Sequence, residues 1–180
     1  FFKTISKSIV NLSYIIDYLN YLEIDSLKFV KDFARIKSYV HLIEDEKKVL
    51  FDKLNELVQI LSVNIYDYQF REVLINEFVY ETIEWQSICA SFETIIKLLD
   101  QLDGLVNEIL DYAPENLRQW GIDIIGQILY FRRLSCQIIS MNNNDIFLML
   151  KSDSNVKFSN ISFVLFFGFQ HSFYSVVYET

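Results

Sequence analysis

The residues able to do chemistry in this chain are few and scattered. There are two histidines, His41 and His171, and two cysteines, Cys89 and Cys136. Neither cysteine has a histidine near it in sequence, and no Gly-x-Ser-x-Gly occurs, so the usual arrangements for an activated nucleophile are missing. Gly104, Gly121, Gly126 and Gly168 stand too far apart to cradle a phosphate. Helical bundles that hold paired iron need inward carboxylates and Glu-x-x-His pairs, and this chain has no such pair. Glu77, Glu81 and Glu84 do recur at spacings of four and three and would share one helix face. Glu81 falls on an otherwise apolar seam. A carboxylate there could ligate a metal or accept a buried hydrogen bond; more often it marks where the packed region opens to water. We therefore expect no metal, no cofactor and no catalytic residue.

One spacing invites a reaction. Arg35-Ile36-Lys37-Ser38-Tyr39-Val40-His41 sets an arginine six positions before a histidine. An imidazole there could move protons while the guanidinium steadied phosphate charge. The spacing is similar to the loose Arg-x(4–6)-His pattern of the HEPN-type ribonucleases, which are also helical. That resemblance implies a small helical ribonuclease with Arg35 and His41 at its site, and it is the alternative reading. The chain departs from the pattern at Ile36, where those proteins usually carry a polar residue. Gln119-Trp120-Gly121 is similar, over fewer than ten residues, to the Asn-Trp-Gly-Arg helix start of the B-cell-lymphoma apoptosis regulators, with Ile122 in place of the arginine. Read from the residues alone, it is a tryptophan anchoring a helix near its start, beside a glycine that allows close approach.

Charge is more informative. The net charge is −8, and all of it falls in one segment. Residues 1–62 carry nine basic and nine acidic side chains, and residues 114–180 carry five of each. Residues 63–113 carry two basic (Arg71, Lys97) and ten acidic. Such a surface repels nucleic acid and anionic lipid and suits a basic partner, or simply keeps the protein solvated. Basic pairs are limited to Lys47-Lys48 and Arg132-Arg133, which read as helix surface rather than a nucleic-acid site. The function expected is a non-catalytic interaction or scaffold subunit. Its acidic segment would dock a protein with a basic surface through Glu72, Glu77, Glu84 and Glu93. A second copy of the chain is a further partner this reading admits.

The elements that must position these residues are helices. The first 103 residues contain no glycine and no proline. Leu12, Ile15, Leu19, Leu22, Ser26, Phe29, Phe33, Ile36, Val40, Ile43, Lys47, Leu50, Leu54, Leu57 and Leu61 follow alternating spacings of three and four. A second frame runs Leu74, Phe78, Glu81, Trp85, Ile88, Phe92, Ile95, Leu99, Leu102, Val106, Ile109. Both are seams of long packed helices. Alanine occurs only at Ala34, Ala90 and Ala113, so these helices rely on packing rather than on intrinsic propensity. A strict coiled-coil seam is apolar at about two residues in seven. Between Leu27 and Ile65, 20 of 39 residues are apolar, with Leu42, Phe51 and Val58 among those off the seam. So wide a stripe needs neighbours on several sides. The expected fold is all-α, a compact antiparallel bundle of long heptad-patterned helices rather than an extended rod.

Helices are expected over residues 4–22, 27–61, 68–112 and 114–140. Asp25 and Ser26 offer a cap for the second, and Pro114 suits the first position of the last. A kink or turn is expected at 44–48, where Lys47 sits on the seam, and a weak point at Gly104. Gly121 and Gly126 lie inside the last helix and each costs it about 1 kcal/mol, unless close packing uses the missing side chain.

Two domains follow: a bundle over 1–140 and a C-terminal tail over 141–180 packed on it. Met141 to Asp145 reads as a polar loop, and the apolar runs 146–150, 156–158 and 161–169 as short strands or irregular structure. Ile161 to Val177 comes nearest to a membrane span but is interrupted by Ser162, Gln170, His171, Ser172 and Ser175, which argues against one. A membrane-associated helical protein is the third reading. The first residues lack the apolar core of a signal peptide. Two cysteines within helices and no Cys-x-x-Cys predict buried, reduced thiols in an intracellular protein.

Overall fold

The two seams meet in a single core. The computed structural model describes residues 2–20, 30–61, 68–81, 84–111, 113 and 115–152. Its elements are α1 (Phe2–Asn20), α2 (Val30–Leu61), α3 (Tyr68–Asn76), a π-helical segment (Glu77–Glu81), α4 (Glu84–Leu110), α5 (Glu115–Ile139) and α6 (Asn143–Ser152). No strand occurs among the described residues. Leu12, Ile15 and Leu19 of α1 and Ile36, Val40, Ile43, Leu50, Leu54 and Leu57 of α2 are fully buried. So are Ile88, Phe92, Ile95 and Leu102 of α4 and Phe131 of α5.

The helices close a ring: α1 packs on α2, α2 on α4, α4 on α5, and α5 back on α1. Cross-links fix their directions. Lys37, near the start of α2, donates to the carbonyl of Asn20 at the end of α1. Arg35 pairs with Glu108 near the end of α4, while Lys53, further along α2, reaches Ser91 near its start. Consecutive long helices therefore run antiparallel, as an up-down-up-down bundle. Helix α3, the π segment and α6 pack on one another beside the end where α2 finishes and α4 begins. Lys151 of α6 pairs with Glu72 of α3, and Tyr80 donates to Asn144 Oδ1.

Three expectations are corrected. Residues 68–112 do not form one helix, because the π segment intervenes. A π turn takes in an extra residue, so the apolar frame shifts there. Adjacent Phe78 and Val79 are both buried, Ile75 is buried in place of Leu74, and Glu81 is left exposed. Second, α2 continues unbroken through 44–48, and α4 continues through Gly104. Third, residues 146–150 lie on α6 rather than on a strand. Its first turn uses part of the expected loop: the backbone N–H of Asp145 donates to Asn142 Oδ1 at 2.8 Å, an N-cap, with Asp145 near the positive end of the helix and Lys151 near the negative end. The runs at 156–158 and 161–169 lie outside the described residues.

Candidate functional site

The acidic segment owes its place in the bundle to its neighbours. Helix α4 lies between α2 and α5, and cations from both reach it. Arg35 of α2 approaches Glu108 at 3.9 Å, and Arg132 of α5 pairs with Asp100. Lys53 of α2 acts on Glu84. The charge segregated along the chain is thus partly matched inside the fold. The Arg35–Glu108 and Arg132–Asp100 pairs are solvent-exposed, and each is worth about 0–1 kcal/mol.

The four glutamates chosen from the sequence do not form one patch. Glu72 is held by Lys151 at 2.8 Å. Glu77 is exposed at the start of the π segment. Glu84 is half-buried at the start of α4, where burial and the neighbouring Glu56 raise its carboxyl pKa, against the opposing pull of Lys53. Glu93 is exposed and lines a pocket with Cys89, Ile139 and Met141. Nine residues separate Glu84 from Glu93, which puts them on opposite faces of an α-helix. Glu72 and Glu77 stay together on the α3–π unit.

That unit carries a second feature. Phe70 and Val73, three residues apart on α3, are each 53% exposed, and Tyr80 is 43% exposed. By helical phase Phe70, Val73 and exposed Glu77 fall within about 60° of one another, whereas Glu72 lies about 160° from Phe70 and pairs with Lys151 of α6.

The arginine–histidine spacing does not converge. Six residues on one helix place Arg35 and His41 about 120° apart, and each faces its own carboxylate, Glu108 and Glu44. Among the described residues, no three His, Cys, Asp or Glu side chains gather closely enough to hold a metal ion. Glu81 accepts a hydrogen bond from Asn76 at 3.1 Å. The cysteines differ from expectation: Cys136 is exposed, and Cys89 is half-buried. Burial and the nearby Glu93 push the Cys89 thiol up to about 11, which keeps it protonated and unreactive.

Compared with protein-family models, with curated proteins and with solved structures, the chain finds no match. No described helix is long and apolar enough to cross a membrane.

Sequence reasoning missed the polar pair Asn11 and Gln127. Asn11 is buried on α1 and donates through Nδ2 to Gln127 Oε1 of α5 at 2.6 Å. A signal existed: Asn11 adjoins the seam residue Leu12 and lies three residues after Ser8, itself buried and bonded to the Ile5 carbonyl at 2.6 Å. Polar groups beside an apolar seam must find partners, but no local spacing names Gln127 as that partner.

Proposed function

We propose that the protein is a non-catalytic helical interaction module that binds a basic, amphipathic segment of a protein partner on its α3–π surface. One observation carries this reading: Phe70, Val73 and Tyr80 are exposed on the unit that also presents Glu72, Glu77 and Glu81. Apolar groups would supply binding energy, and carboxylates would select a cationic partner and steer its approach. The four-helix core positions this unit without being part of the contact.

The test is affinity capture from native extract, quantified by mass spectrometry, with four forms of the chain. Wild type should retain a defined set of proteins that is lost as salt is raised. Glu77→Lys with Glu81→Lys should lose the same set, and so should Phe70→Ser with Val73→Ser. Glu93→Lys, on a different surface, should retain it. If the first two variants capture what wild type captures, this surface is not the interface.

A further inference from the structure

The outer face of α1 and α5 carries opposite charges at its two ends. On α1, Lys3, Lys7, Val10 and Tyr14 recur at spacings of four and three, and on α5 Asp123, Gly126, Tyr130 and Arg133 do so. Each set therefore lies on one side of its helix. The two helices run antiparallel, and the Asn11–Gln127 bond fixes their register. Lys3 and Lys7 thus stand at the end with Arg133. Asp17, which also faces Lys47 of α2, stands at the end with Asp123. The middle is apolar and aromatic: Val10, Tyr14 and Tyr130 line an open groove of about 360 Å³. Tyr14 is 51% exposed, and its ring centre lies 5.7 Å from that of Tyr18.

This face is complementary to itself. A two-fold axis running across both helices inverts it end for end, as an isologous dimer requires. Arg133 then meets Asp123 of a second copy, and Lys7 meets its Asp17. The first pair centres on Ile128 and the second on Leu12. The Asn11–Gln127 bond sets Leu12 level with Gly126, two residues or about 3 Å from Ile128, so one axis serves both pairs. The same axis brings Tyr14 over Val10 of the second copy and Tyr130 over its Gly126, where an added Cβ would have nothing within 4 Å. An axis along the helices would instead set cation on cation. Net charge does not oppose the contact. Helix α1 carries Lys3 and Lys7 against Asp17, and α5 carries Arg118, Arg132 and Arg133 against Glu115 and Asp123. The excess negative charge lies in residues 63–113, and α4 stands across the ring from α1.

We propose that the protein forms a reversible two-fold dimer through its α1–α5 face, with Arg133 of each copy paired to Asp123 of the other. Two helices side by side over the 19 residues of α1 offer on the order of 600 Å² per copy, the lower limit for a specific complex. This face is separate from the α3–π unit, so the inference does not rest on the function proposed above. Sedimentation equilibrium of the whole chain over a concentration series tests it. Wild type should pass from monomer to dimer. Asp123→Arg and Arg133→Asp, both at exposed positions, should each weaken association by about tenfold or more, because like charges then meet twice. Mixing the two variants should restore it, since each pair again joins an arginine to an aspartate. Within one chain the two positions lie about 15 Å apart along the helix, too far to pair, so restoration must come across copies. Should either reversal unfold the chain, Tyr14→Glu, at the exposed middle of the face, should abolish the dimer. A wild type that stays monomeric up to about 1 mM overturns the proposal. So does a mixture that associates no better than the single variants, or a dimer that survives Tyr14→Glu or either reversal unchanged.

Discussion

Gly121 and Leu110 meet across the α4–α5 interface with no room for a side chain between them. A Cβ on Gly121 would fall 2.5 Å from Leu110 Cδ2, 3.1 Å from its Cγ and 3.3 Å from Val106 Cγ1. The glycine is there for close approach, as the neighbouring buried Trp120 suggests. Gly104 and Gly126, by contrast, have nothing within 4 Å of the same position. Gly121→Ala should therefore destabilise the fold by about 1–2 kcal/mol, overpacking outweighing gained helix propensity. Gly104→Ala and Gly126→Ala should each stabilise it by about 0.5–1 kcal/mol. Urea midpoints decide it; a neutral Gly121→Ala would mean that the half-buried Leu110 side chain turns aside to admit the methyl group.

Lys47 sits on the α2 seam facing Asp17 of α1, and burial lowers its ammonium pKa to about 8, despite the opposing pull of Asp17 and Glu44. Unfolding returns it to 10.5. Between those values the unfolded chain binds a proton the folded chain does not, so this lysine makes stability rise with pH. Cys89 acts oppositely. Its folded value of about 11 exceeds the ordinary 9.0, so stability falls across that interval. Tyr18, raised by burial and Asp123 from 10.0, adds to the fall above that pH. The expected profile rises from about pH 8 to 9, levels, then falls. Lys47→Met should remove the rise, and Cys89→Ala should prolong it toward pH 10.5. The lysine's full effect is on the order of 3 kcal/mol at most. A profile unchanged by Lys47→Met refutes its burial.

What the sequence revealed was set by which physical signal each residue carries. Seam residues such as Ile36, Phe92 and Leu99 were legible because burial on a regular helix has a fixed period. Lys47 interrupted that pattern without breaking the helix, and its buried ammonium lies near Asp17 and Glu44. The frame misled where the helix ceased to be regular. Counting in α-helical turns puts Glu81 on the seam, whereas the π segment brings Val79 into that role. The acidic segment was visible as composition, but its division among faces was not, because Glu84 and Glu93 differ only by helical phase. Asn11 and Gln127 could not be paired from sequence, since their contact spans 116 residues.

Phe92 and Phe131 join α4 to α5 at the centre of the core, fully buried with ring centres 6.3 Å apart. Replacing either by alanine removes a large apolar side chain and leaves a cavity, at about 3–5 kcal/mol. The double replacement should cost less than the sum, because the aromatic contact is lost only once. Full additivity in urea unfolding would show that the rings do not interact.

Lys53 links α2 to α4 more tightly than a surface charge would. Its ammonium donates to the Ser87 carbonyl at 3.0 Å and to Ser91 Oγ at 2.8 Å, and Ser91 is buried. It also opposes the rise in the Glu84 carboxyl pKa. Lys53→Met keeps the aliphatic stem and removes the donors, so it should cost about 1–2 kcal/mol. Ser91→Ala should cost less in that background than in wild type, because one partner of the bond is already gone. The Glu84 carboxyl should meanwhile titrate at higher pH, read by NMR. A cost below about 0.5 kcal/mol, with no coupling to Ser91 and no change at Glu84, would make Lys53 an ordinary surface lysine.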